Sequence, residues 1–211
     1  LVDGSFFNSG QSCCGIERIY VDEKIFNSFL ELFISKTYNY KLGNPLEQEN
    51  NLGPVVKLSA AEFIINQMNK ALDKGAKKMI DENKFYFPKE HKNYLVPQIL
   101  TDVSHEMDFM TEETFGPCVG IMKVSDENEA VKLMNDSPYG LTASIWTNDV
   151  EIAEKIGNQV QTGTFFMNRC DYLDPALSWT GVKETGQGCS LSEIAYEKLT
   201  APKSFHLRKG Q

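Results

Sequence analysis

Two adjacent cysteines, Cys13 and Cys14, are the residues best suited to covalent chemistry, and they sit inside the run Phe6-Phe7-Asn8-Ser9-Gly10-Gln11-Ser12-Cys13-Cys14-Gly15-Ile16-Glu17-Arg18. A thiol attacks an electrophile as its thiolate, and a place in the first turn of a helix, where unpaired backbone N–H groups favour negative charge, lowers its pKa. The glycine turn and one short helical turn ahead of Ile19-Tyr20-Val21 would give Cys13 that place. Successive residues on a helix point about 100° apart, so at most one of the pair faces a given site. The competing use of a cysteine is to pack as a small buried hydrophobe.

The elements that must position this segment read as alternating helix and strand. Ile25, Phe26, Phe29, Leu32 and Phe33 recur at helical spacing between Glu23 and Leu42, with Asp22 as N-cap and Gly43 as stop. Ser59 with Glu62 forms a capping box for a helix from Ala60 to Lys74, ended by Gly75. Lys78 to Asp81 is a short strand, Tyr94 to Leu100 an extended segment that Pro97 assigns to an edge or a bulge, and Thr101 to Met110 irregular. A buried strand from Cys118 to Val124 leads to a helix capped by Ser125 and running to Asn135, with Ala130, Val131 and Met134 inward. A strand over Leu141 to Thr147, a helix from Asp149 to Ile156 and a strand over Thr162 to Asn168 follow.

This alternation is the pattern of right-handed crossovers in an α/β fold: an open, mostly parallel sheet with helices on both faces. Sites in such sheets gather at the strand carboxyl ends, where Asn168 and its following loop fall. The tail Lys203-Ser204-Phe205-His206-Leu207-Arg208 alternates polar and apolar residues, as an edge strand does. The expected division is a catalytic domain over 1–202 and an oligomerisation strand over 203–211.

Bulk composition excludes several classes. A formal charge of −8, from 29 acidic and 21 basic residues without a basic stripe, argues against a nucleic-acid partner. No apolar run approaches the roughly 20 residues that span a bilayer, so no membrane partner is expected. Five irregularly spaced cysteines fit a reducing compartment, and the expected location is the cytoplasm. No metal-ligand spacing appears, and His91, His105 and His206 lie far apart in polar or turn-like contexts.

A second constellation, Glu112-Glu113-Thr114-Phe115-Gly116-Pro117, stands immediately before the strand at Cys118. Taken alone it is a polar turn with one buried aromatic. Together with Phe-x-x-x-Gly-Gln-x-Cys and the acid and arginine that follow, it resembles the aldehyde dehydrogenase superfamily, specifically its C-terminal catalytic portion. Tyr139-Gly140-Leu141-Thr142-Ala143-Ser144, Gly163 through Asn168, and Trp179-Thr180-Gly181-Val182-Lys183-Glu184-Thr185-Gly186 arrive in the same family order. The resemblance spans Phe6 to His206.

The resemblance implies that Cys13 attacks an aldehyde, giving a thiohemiacetal that is oxidised to a thioester with NAD or NADP as acceptor and then hydrolysed to the acid. It places Glu113 on the nicotinamide ribose and Phe115 beside the nicotinamide. It lines the substrate channel with Phe7, Ser12, Cys14, Asp171, Leu173 and Trp179. Arg169 suggests a substrate with a polar or carboxylate tail, because guanidinium matches carboxylate bidentately. The tail strand of the family joins a neighbouring subunit, which implies a homodimer or homotetramer.

The family's water-activating glutamate and its second oxyanion donor, an asparagine, lie upstream of the nucleophile. The chain is therefore expected to be a piece of a longer protein, its partner being the missing nucleotide-binding domain, which is expected to bind most of the NAD or NADP. Ala60 and Phe63 stand where many members place glutamine and lysine, and Gly188-Cys189-Ser190-Leu191 replaces the commoner glycine-x-glutamate run. Two other classes compete: a cysteine-dependent acyl hydrolase or transferase, which needs a histidine near Cys13, and a non-catalytic oligomerisation or binding module.

Overall fold

The computed structural model describes residues 1–86, 90–170 and 172–210. Its helices are α1 (Val2–Phe6), α2 (Phe26–Thr37), α3 (Leu58–Asp73), α4 (Glu127–Asn135), α5 (Val150–Gly157) and α6 (Ile194–Leu199). Its main sheet has the order β1 (Arg18–Asp22), β4 (Cys118–Val124), β3 (Gln98–Thr101), β2 (Lys77–Lys78). The β1–β4 and β4–β3 pairs are parallel and β3–β2 is antiparallel. Further ladders join β5 (Tyr139–Gly140) to β9 (Val182–Lys183), β6 (Thr142–Ile145) to β7 (Thr164–Met167), and β8 (Trp179–Thr180) to β10 (Cys189–Ser190). The fold is α/β with a mostly parallel sheet.

Period-2 alternation divides the main sheet between two cores. Ile19, Val21, Ile99, Val119 and Ile121 face α2, where Phe33 and Phe6 pack. Leu100 and Cys118 face α3, meeting Ala61, Ile64, Met68 and Ala71. Helices therefore cover both faces, and burying whole aliphatic side chains is the dominant stabilisation here, about 1.5–3 kcal/mol for each large residue.

Several local expectations change. Cys13 and Cys14 lie on a turn closed by Gly15 N–H donating to Ser12 O at 3.0 Å, rather than in the first turn of a helix. Asp22 accepts from Lys24 N–H at 2.8 Å and so forms a turn before α2, whose N-cap is Ile25. The Ser59–Glu62 box is not formed, since α3 starts two residues earlier, at Leu58, with Lys57 as N-cap. Asp126, not Ser125, caps α4, accepting from Asn128 and Glu129 N–H, while Ser125 donates to Glu129. At α4 two adjacent polar residues could cap the helix and Asp126 does so, whereas α2 and α3 begin with no side-chain cap.

Pro97 precedes β3 and needs no ladder donor there, so β3 is an inner strand flanked by β4 and β2 rather than an edge. The strands on either side of α4 fall in different ladders, so the expected single sheet from 118 to 168 divides. Residues 201–210 are exposed and carry no ladder in the single chain. Among the described residues, no helix is long and apolar enough to cross a membrane, and no cluster of three potential metal ligands occurs.

Candidate active site

The Cys13 segment is anchored from behind. Phe6 is fully buried, edge-on to Phe33 and Tyr40 at centroid distances of 6.1 and 5.8 Å. Tyr40 donates its hydroxyl to Asp3 at 2.5 Å, and burial with that contact pushes the phenol pKa far upward. Beyond Phe6 the chain reverses through Asn8 and Ser9, both at positive φ, and Gly10 at φ +71°. Ser9 donates to Gly53 O at 2.7 Å. Gln11 is a clamp: its side-chain oxygen accepts from Val56 N–H at 2.8 Å, and its nitrogen donates to Asn8 O and Pro54 O.

On the turn that follows, Cys13 is exposed and Cys14 is buried with its Sγ 3.4 Å from Ser12 Oγ. Cys118 is also buried, and burial pushes its thiol well above the ordinary range. Cys170 and Cys189 are intermediate. Cys13 thus has the greatest solvent access of the five thiols, which is the first requirement of a reactive one.

Parallel pairing brings the second motif alongside. Arg18 lies opposite Gly120 across β1 and β4, so the loops before the two strands, 13–17 and 113–117, emerge side by side. This end is the amino end of both strands, not the carboxyl end expected for the site, because both motifs precede their strands in sequence. The two loops touch backbone to backbone. A Cβ at Gly10 would run into the Gly116 carbonyl, and one at Gly116 would lie 2.5 Å from Ile64 Cδ1. The two glycines of separate motifs therefore permit one close approach.

Glu17, four residues past Cys13, completes the contact. Its carboxylate accepts Thr114 N–H at 3.1 Å on each oxygen and Phe115 N–H at 2.9 Å. Burial raises its pKa, the two amides oppose that rise, Glu113 adds to it and Arg18 opposes it. The role of Glu17 was missed in the sequence. Its signal was an acid directly before an apolar strand, a position with no obvious solvent-facing purpose.

Gln11, Val56, Ala60, Phe63, Glu113 and Phe115 wall an open groove of about 370 Å³. Glu113 and Phe115 are exposed there, so a carboxylate and an aromatic face share one wall with the Gln11 segment. The substrate-channel residues divide. Ser12 and Cys14 flank Cys13, whereas Phe7 is 62 % exposed and Leu173 53 % exposed. Trp179 lines a smaller pocket of about 140 Å³ with Phe166, Arg169, Tyr172 and Leu177. Arg169 stacks there over the Tyr172 ring at 3.4 Å. Asp171 lies outside the described residues. The loop that carries Arg169 does reach α1, just ahead of the Cys13 segment, since a Cβ at Gly4 would lie 2.5 Å from Cys170 Sγ.

Comparison with known proteins places the family. The family model described as "Aldehyde dehydrogenase family" matches residues 1–205. An aldehyde dehydrogenase of Emericella nidulans is 34 % identical over 210 residues, covering 98 % of this chain and 41 % of the relative. A 3-sulfolactaldehyde dehydrogenase of Priestia aryabhattai is 32 % identical, covering 93 % of this chain and 40 % of the relative. The crystal structure of a betaine aldehyde dehydrogenase from Staphylococcus aureus in complex with NAD+ superposes with a TM-score of 0.86 at 28 % identity, covering 93 % of this chain and 39 % of that one. The chain thus spans about two fifths of the length of the curated relatives it matches. With a family model matched over nearly its whole length and both motif loops meeting at one sheet end, the chain belongs to the aldehyde dehydrogenase family.

Proposed function

We propose that this chain is the catalytic portion of an NAD(P)-dependent aldehyde dehydrogenase, with Cys13 as the nucleophile. The observation that supports the reading is that the segment bearing the exposed Cys13 abuts the Glu113–Phe115 loop through Gly10 and Gly116, with Gln11 of that segment lining the same groove as Glu113 and Phe115. The Cys13 thiolate adds to the aldehyde carbon, and the carbonyl electron pair moves to oxygen. The Cys13 backbone N–H is one donor to that oxyanion. A bound nicotinamide supplies a hydride acceptor, leaving a thioester on Cys13 that water cleaves to the acid. Glu113 holds the ribose diol as an acceptor of two hydroxyl hydrogen bonds, and Phe115 offers a flat apolar face to the ring. The resemblance assigns the water-activating glutamate and the second oxyanion donor to a segment upstream of Cys13.

For substrate selection, Phe7, Ser12, Cys14, Asp171, Leu173 and Trp179 form the proposed channel. Arg169 above Tyr172 favours an aldehyde with an anionic tail. The 3-sulfolactaldehyde named for one relative carries such a tail. The proposed setting is a cytoplasmic homodimer or homotetramer joined through residues 203–211. Nothing in the geometry favours an acyl hydrolase, because His105 is committed to Tyr20 and Asp136, each at 2.8 Å.

Iodoacetamide labelling followed by peptide mass mapping tests the nucleophile. Cys13 is expected to be alkylated first, and a Cys13→Ala chain to lose the weak esterase-like acylation expected of the isolated polypeptide. The isolated chain is not expected to reduce NAD+ on its own. Equal labelling of all five thiols, or undiminished acylation in Cys13→Ala, would overturn the assignment.

A further inference from the structure

The hexapeptide from Glu112 to Pro117 belongs to no helix or strand, yet the proposed cofactor wall requires Glu113 and Phe115 to point reproducibly into the groove. Phe115 sits at φ +53°, in the left-handed region. An L-residue there costs about 1–2 kcal/mol, and such a conformation persists only where the surroundings impose it. At its carboxyl end the loop is fixed by Gly116, held between Gly10 and Ile64. In its centre the fixing group is the Glu17 carboxylate, which receives the consecutive N–H groups of Thr114 and Phe115. Consecutive amides converging on one anion form a backbone nest, and the anion here is supplied by the nucleophile segment itself.

We propose that Glu17 is a positioning residue for dinucleotide binding: by holding the Thr114 and Phe115 amides, its carboxylate sets the direction in which Glu113 and Phe115 meet the cofactor. The inference rests on the reading of the groove as the cofactor wall. A methionine of similar volume would close the same space at lower desolvation cost, but it would leave two amides without an acceptor. Glutamine keeps one carbonyl oxygen where the carboxylate Oε1 accepts both. Acceptor chemistry is thereby separable from packing.

The test is NAD+ titration of the full-length protein that carries this chain together with its nucleotide-binding domain, followed by amide chemical shifts at Glu113 and Phe115, for the wild type, Glu17→Gln and Glu17→Met, with melting temperature as the control for folding. Glu17→Gln is expected to bind within about threefold of wild type and Glu17→Met to bind about tenfold more weakly or worse, equivalent to the loss of a hydrogen bond to a charged group. Wild-type affinity in a folded Glu17→Met chain overturns the role of Glu17 and leaves the cofactor reading standing. No response of Glu113 and Phe115 in the wild type overturns the cofactor reading and this inference with it. Should Glu17→Met not fold, wild-type hydrogen exchange decides. The Thr114 and Phe115 amides are expected to exchange at least about tenfold more slowly than that of Glu113, and exchange at the same rate overturns the inference.

Discussion

Cys13 and Cys118 show how one residue type acquires opposite properties from its surroundings. Cys13 stands on an open turn, while Cys118 is enclosed between β4 and α3, with Glu17 nearby further disfavouring its thiolate. At neutral pH Cys13 is expected to react with a maleimide more than about tenfold faster than Cys118, as read by mass mapping at early times. Glu17 carries a pH signature of its own. Burial raises its pKa above the ordinary 4.5, so the fold binds this proton more tightly than the unfolded chain does. The stabilising contribution of Glu17 is then full below the ordinary value and is lost as pH rises through the folded one. Glu17→Gln cannot ionise, and its melting temperature relative to wild type is expected to be more favourable at neutral pH than near pH 4.5. A difference constant across that range would contradict the shift.

At the scale of elements, the site depends on two loops held by the strands that follow them. Gly10→Ala must place a methyl against the Gly116 carbonyl and adopt φ +71°. It is expected to destabilise the chain by about 2 kcal/mol or more in urea unfolding. Asp126→Ala removes the acceptor for two orphan amides at the start of α4 and is expected to cost about 1 kcal/mol. The opposite end of α4 is closed by Lys183, which donates to Asn135 O at 2.7 Å and Ser137 O at 2.9 Å. That contact gives the lysine of the Trp-Thr-Gly-Val-Lys run a structural task remote from the thiol: a cation at a helix carboxyl end.

For the whole molecule, the two cores lie around the main sheet, while α4, α6 and the ladders after Val124 leave much apolar surface partly open. Tyr196, Leu199, Phe205 and Leu207 are each at least 71 % exposed. The proposed subunit contact uses this end of the chain. Light scattering of the intact chain is expected to give a multiple of the monomer mass, and removal of residues 203–211 is expected to return the monomer. Arg169→Ala is a second test at this scale, since the pocket it lines is built from β7, β8 and the loops between them. It is expected to lower the preference of the full enzyme for anionic over neutral aldehydes by about tenfold, the value of one charge-assisted hydrogen bond. An unchanged preference would remove the anionic-tail reading.

The strand at Cys118 to Val124 was legible to the residue, because its apolar and small residues, interrupted only by the exposed Lys123 near its end, fit a strand covered on both faces. The order of the motifs was legible for a similar reason, since each chemistry needs its own residue types at fixed short spacing. Helix caps were legible in part: Asp149 does cap α5, whereas Asp126 rather than the adjacent Ser125 caps α4, and α2 and α3 begin without a side-chain cap. The turn at Cys13 was not legible, because short-range propensity allowed a helical start there and the packing of Gly10 on Gly116 did not. By itself, then, the sequence determined the family resemblance, on which the proposed roles of Cys13, Glu113 and Phe115 rest, and the α/β alternation that supports them. Only the tertiary structure decided that both motif loops meet at the amino ends of β1 and β4, and that Glu17 joins them. That meeting follows from strand pairing across about a hundred residues of sequence, and no local pattern encodes which strands become neighbours.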